Sequence, residues 1–245
     1  MRKYTFLQNY TILTYLSELL PLVISLYFFK KIKINYLKVF FIYSILLAFF
    51  SSTSLYILNF QHSRVIYFIL LRLYIGIEYF ILVVYFALLV KSKIYKKIIL
   101  ISIVPFWGYC IFNYSISDPH TFNNYPAIVE FSLFILIILF YFYEKMKIVS
   151  SIPLFSSVSF WLSVGLFIFF TGNLFFLLFI NSANKDILQQ MFVIYSGVTI
   201  TKNIILASAW FAYEKIQTDA DIIQLPENMN LGEDYNFTKN TNPYR

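Results

Sequence analysis

Cysteine and histidine are almost absent from this chain. Its single cysteine, Cys110, lies inside an apolar run, so neither an intrachain disulfide nor a cysteine metal site can form. The two histidines, His62 and His120, fall between apolar runs and have no partner at ligand spacing. That excludes the common zinc patterns and a Ser-His-Asp set. No phosphate loop and no His-Glu-x-x-His motif occur. None of these motifs is present, so no catalytic, metal or cofactor site is expected, and a non-enzymatic role is expected. Charge is scarce as well. Only 13% of the 245 residues are charged, against about 25% in a soluble domain. The net charge of +7 is not a nucleic-acid patch, because its lysines sit in short loops between apolar runs. Nucleic acid is not an expected partner; the lipid bilayer is.

What the chain does have is apolar length. Hydrophobic residues make up 60% of it, in runs long enough to cross ~30 Å of hydrocarbon as helices. The expected fold is all-α: a polytopic seven-transmembrane-helix bundle over residues 1–213, with a short, partly disordered cytoplasmic tail over 214–245. The helices are expected at about 8–29, 39–60, 65–90, 98–112, 127–143, 154–180 and 190–213. Met1-Arg2-Lys3 resembles the start of a signal peptide. Gln8, Asn9, Thr11 and Glu18 interrupt the run that follows, so a retained first helix is expected, with Pro21 as a kink. The fourth helix, with Pro105 and Gly108, is the shortest. The seventh helix has room to continue to about Leu225 before Pro226.

The loops alternate in charge. The first, third and fifth hold ten lysines, whereas the second, fourth and sixth hold only Arg64 and Lys185. By the positive-inside rule the N-terminus is outside and the C-terminus in the cytoplasm, in the cell's inner (plasma) membrane. Residues 214–245 are too few for a kinase or DNA-binding domain, and any output is expected to pass to another protein.

Five ionisable residues interrupt the apolar runs, and such residues usually mark a functional or buried structural site. Glu18, Glu78 and Lys202 share a depth near the middle of the first, third and seventh helices. Arg72 and Glu130 share a depth in the outer half. Six residues separate Arg72 from Glu78, turning them about 120° apart on their helix. Two pairings follow as expectations: Lys202 with Glu78, Glu18 or both, and Arg72 with Glu130. The other six helices would form the bundle that answers Lys202. On the seventh helix Tyr195, Ser196, Thr199, Lys202 and Asn203 fall on one stripe; on the third, Tyr74, Glu78 and Tyr85 do the same. The expected intramembrane polar cluster is Glu18, Tyr74, Glu78, Thr199, Lys202 and Asn203. Such an interior can bind a small ligand, conduct protons or ions, or lock the helices together.

A lysine in the seventh helix with a carboxylate in the third is similar to microbial rhodopsins, but their detailed pattern is not met. Val198 stands where they carry aspartate, Arg72 and Glu78 are six apart instead of three, and Trp161 lacks the Trp-x-x-Tyr-Pro context. A retinal Schiff base is therefore not expected. A weak echo lays Glu18–Lys31 over Glu130–Lys145 and Glu78–Phe86 over Asn203–Phe211. It allows a parallel 3+1+3 repeat that resembles the sugar-transporting and proline-glutamine-loop families, whose Pro-Gln signature is absent here. Glu18 with Pro21, Phe160-Trp161-x-x-x-Gly165 and Asn203-Ile204-Ile205 resemble uncharacterised seven-helix integral membrane proteins of Bacteroidota. That resemblance implies a membrane partner of a histidine-kinase pathway. The expected function is a membrane sensor or signalling module that passes its signal to a separate partner. The alternative is a small-solute or proton-coupled transporter. The sequence sets no oligomeric state.

Overall fold

A computed structural model describes residues 2–32, 34–57, 63–118, 120–121, 123–147, 157–180 and 184–222. Among the described residues there is no strand. The helices are α1 (Arg2–Ser17), α2 (Leu20–Phe28), α3 (Asn35–Tyr56), α4 (Arg64–Leu89), α5 (Lys93–Ile101), α6 (Ile103–Ile116), α7 (Tyr125–Lys147), α8 (Val158–Phe179) and α9 (Lys185–Ile222). They make seven segments long and apolar enough to cross a membrane: Tyr10–Phe28, Asn35–Tyr56, Val65–Leu89, Lys93–Ile116, Tyr125–Lys147, Val158–Phe179 and Ile187–Phe211. The last helix runs on to Ile222, and the rest of the expected tail lies outside the described residues.

Two spans are each built from two helices, and proline sets both breaks. Pro21 has no N–H, so the Ser17 carbonyl loses its partner one turn on. The chain answers with a tightened turn: Leu19 N–H donates to Leu16 at 3.2 Å, and the helix resumes with Val23 N–H on Leu19 at 3.0 Å. Glu18 sits in that turn. In the fourth span Pro105 follows a break at Ser102, whose hydroxyl donates to the Ile99 carbonyl at 2.6 Å.

The fourth span is longer than its hydropathy implies, Lys93–Ile116 rather than 98–112. Lys93, Lys96 and Lys97 belong to the helix, and their side chains are exposed. Lysine is a good helix former and can lay its stem along an apolar surface with the ammonium turned outward, so a basic stretch is no reason for a helix to start late. The start is also held from outside. The Glu144 carboxylate at the end of α7 accepts from Lys91 N–H at 3.0 Å and from Ser92 N–H at 2.7 Å.

Six spans close a ring. The first packs on the second and seventh, the second on the third, the third on the fifth, the fifth on the sixth, and the sixth on the seventh. The fourth span packs on α4 and α7 from outside that ring and is the least buried of the seven, at 17% of its apolar window. Five spans, not six, therefore surround Lys202. The closest seam joins α8 and α9, where Gly165 and Gly172, seven residues apart, let Val198, Ile205 and Leu206 approach the α8 backbone. Aromatic rings fill much of the remaining core; Phe134, for example, stacks on Phe170 at 4.7 Å.

Candidate functional site

The ring encloses a cavity of about 370 Å³. All six ring spans contribute to its wall, and the fourth contributes nothing. It reaches from Glu18, Glu78 and Lys202 at mid-depth to Thr11, Tyr67, Ile180 and Phe192 at the end of the bundle where the chain begins. Its volume lies within the ~300–1,000 Å³ typical of small-molecule sites.

The break between α1 and α2 carries Glu18 to this wall. Glu18 is 8% exposed and its Oε2 accepts from the Ser51 hydroxyl of α3. The residue before it, Ser17, accepts at its hydroxyl from Asn203 Nδ2 at 2.8 Å. The proline break and the seventh span are thus joined by a buried hydrogen bond. Glu78, 2% exposed, projects from α4, and its Oε1 accepts from Tyr43 Oη of α3 at 2.9 Å. Tyr74, one turn before Glu78, borders the same carboxylate and stacks on Phe50 at 4.1 Å. The two mid-depth carboxylates are therefore both held by hydroxyl donors from the second span.

Lys202 has no exposed surface. Its Nζ has no hydrogen-bond partner and lies 4.2 Å from the centroid of the Phe169 ring of α8. Glu18 and Glu78 are its charged neighbours, but neither reaches it. In place of the expected ion pair, the Lys202 amine lies against an aromatic face. An ionised group this deep costs several kcal/mol unless it is paired and hydrogen-bonded.

The expected pair of Arg72 and Glu130 does not form. Arg72 Nη2 donates to the Asp118 carbonyl at 2.9 Å, and its guanidinium lies 5.1 Å from the Tyr114 ring centroid. The Asp118 carbonyl and the Tyr114 ring take the Arg72 guanidinium in place of Glu130. Glu130 stays behind on the cavity wall with no exposed surface, and neither of its carboxylate oxygens has a hydrogen-bond partner.

Compared with known proteins, the chain matches no family model, no curated protein and no solved structure.

The site must therefore be read from its own geometry. The structure brings Glu18, Tyr74, Glu78, Glu130 and Lys202 to one cavity. Thr199 and Asn203 are buried beside it but do not line it. Thr199 donates to the Tyr195 carbonyl of its own helix at 2.9 Å, and Asn203 bonds to Ser17. Sequence reasoning missed Ser17, Tyr43, Ser51 and Phe169. A signal existed for two of them. Tyr43, Leu47, Ser51 and Ser54 follow helical spacing and all are buried, a polar stripe on the second span like those seen on the third and seventh. Nothing in the sequence marks Phe169 among 29 phenylalanines. Among the described residues, no group of His, Cys, Asp and Glu gathers closely enough to hold a metal ion.

Proposed function

We propose that this chain is a non-enzymatic membrane sensor whose six-span ring holds a small ligand and reports it through the seventh span. The observation that carries the reading is a cavity wall that holds two fully buried ionisable side chains, Lys202 and Glu130, with no hydrogen-bond partner for the amine or for either carboxyl oxygen. A polar ligand that answers buried charge alters the packing of the helices around it. Two features supply a route outward. The first span is broken at Glu18, on the cavity wall, and its neighbour Ser17 is bonded to Asn203. From Lys202, α9 continues without interruption to Ile222.

In this reading the N-terminus is outside and the C-terminus in the cytoplasm of the inner (plasma) membrane, as the ten lysines in the odd loops and at the helix ends beside them favour. The cavity then lies in the outer half, open to an extracytoplasmic ligand. The partner is a separate signalling protein such as a histidine kinase, meeting the basic loops and the end of α9. A parallel 3+1+3 repeat belongs to the same proposal. The fourth span's place outside the ring supports it, as does the presence of both Glu18 and Glu130, which the repeat would equate, on the cavity wall.

The second reading is a proton-coupled or small-solute transporter, favoured by three carboxylates along one cavity. Reconstitution separates the two. The full chain in liposomes, under an imposed potential and with an internal pH dye, should pass no proton current above protein-free liposomes. Sustained flux would remove the sensor reading.

A further inference from the structure

We propose that the cavity takes a small organic cation, a protonated amine on an apolar or aromatic body, with its ammonium at Glu130 on the Glu78 side. The proposal rests on reading the cavity as a ligand site and names the ligand's chemistry.

The ionisable groups on the wall are mostly acidic. Three carboxyl groups, of Glu18, Glu78 and Glu130, face one lysine. An anionic ligand finds one basic group there, whereas a cation finds three acidic ones. The three are not equally placed. Glu18 and Glu78 neighbour Lys202, and each accepts from a hydroxyl donor. Glu130 has neither. Both its oxygens are without a partner, its side chain has no exposed surface, and its charged neighbour is another carboxylate, Glu78. Arg72, which its depth suggested as the partner, is bound to the Asp118 carbonyl instead. The site thus carries a buried acceptor with both oxygens unused, beside a second carboxylate, and an ammonium fits it with its three donors.

The rest of the wall suits the body of such a ligand. Phe131, Phe169, Phe176 and Phe192 line it with Tyr74 and Tyr195. Aromatic faces attract cations through their quadrupole, and most strongly where water is excluded. Lys202 already uses this surface, with Nζ 4.2 Å from the Phe169 centroid. Size and ligand spacing favour an organic cation over a bare ion: the cavity of about 370 Å³ far exceeds one atom, and the three carboxylates do not gather into a metal-holding group.

The test uses the full chain in nanodiscs, read by thermal unfolding near neutral pH. Phenethylamine, cationic there, is compared with phenethyl alcohol and phenylacetate, which offer a similar ring with a neutral and an anionic head. The amine should raise the unfolding temperature saturably and the other two should not. Glu130→Gln keeps the size and should weaken amine binding at least ~tenfold, a loss of about 1.4 kcal/mol. Gly197→Ala, at an exposed position with open space around it, should bind as the parent does. If Glu130→Gln does not fold, Glu130→Asp keeps the charge one methylene back and should bind measurably but more weakly. Stabilisation by phenylacetate instead, stabilisation by none of the three, or unchanged amine affinity in whichever Glu130 variant folds would overturn the proposal. Lack of amine binding leaves the liposome result standing, so the two readings fail separately.

Discussion

One methyl group added at Gly172 should loosen the seam that positions Lys202. A Cβ there would lie 2.8 Å from Val198 Cγ1 and 2.9 Å from Cγ2. Carbon atoms in good contact stand about 3.5–4.0 Å apart, so the deficit is roughly 0.6–1.2 Å. Valine in a helix has one strongly preferred rotamer and cannot turn both methyls away, so α8 and α9 must part. Overpacking of this kind costs about 1–3 kcal/mol. The helical Gly-to-Ala gain of about 1 kcal/mol works against it. Gly172→Ala is therefore expected to be neutral to about 2 kcal/mol less stable. Gly197→Ala, in α9 and with open space around it, should be up to about 1 kcal/mol more stable. Thermal unfolding of both variants in one nanodisc preparation measures the difference, at very roughly 2–4 °C per kcal/mol for a chain of this size. Val198→Ala in the Gly172→Ala background should recover most of the loss. Phe169 is three residues before Gly172 and Lys202 four after Val198, so Gly172→Ala should also weaken phenethylamine stabilisation. Equal stabilisation by Gly172→Ala and Gly197→Ala, or no relief from Val198→Ala, would refute the steric reasoning.

Two further changes probe the hydrogen bonds around the cavity. Asn203→Leu removes the bond to Ser17; membrane polar contacts average ~0.6 kcal/mol and reach ~1.7. A double-mutant cycle with Ser17→Ala should give a coupling in that range, and additive losses would show that the contact is not made. Tyr43→Phe takes the donor from Glu78 Oε1 and should cost about 1.5–3 kcal/mol if that carboxylate is charged; an unfolding temperature equal to the parent's would contradict the bond.

Much of the architecture was readable residue by residue. Hydropathy indicated seven spans; several ends lie four residues from where it put them, and the lysine-rich start of the fourth lies five. Lysine stems and the Glu144 cap extend that helix, and neither registers as hydropathy. Pro21 marked the first break. Glu18, Glu78 and Lys202 were found by depth, and all three reach the cavity. Depth alone failed for Arg72 and Glu130. It is a single coordinate, and partner choice also depends on the direction around the helix and on where neighbouring loops pass. Asp118 and Tyr114, which take Arg72, lie 46 and 42 residues along the chain from it, on a loop and a span that depth counting left out.

The sequence by itself determined that this chain forms seven apolar helices with charges buried among them. Both properties are local: each helix satisfies its own backbone hydrogen bonds, and each apolar run meets lipid or core on its own account. Only the tertiary structure decided that six spans close a ring and the fourth stays outside. It also decided that Lys202 rests on Phe169 while Glu130 is left without a partner. Those outcomes turn on distances of a few ångströms between helices, set by contacts such as Gly172 against Val198, which no single segment encodes.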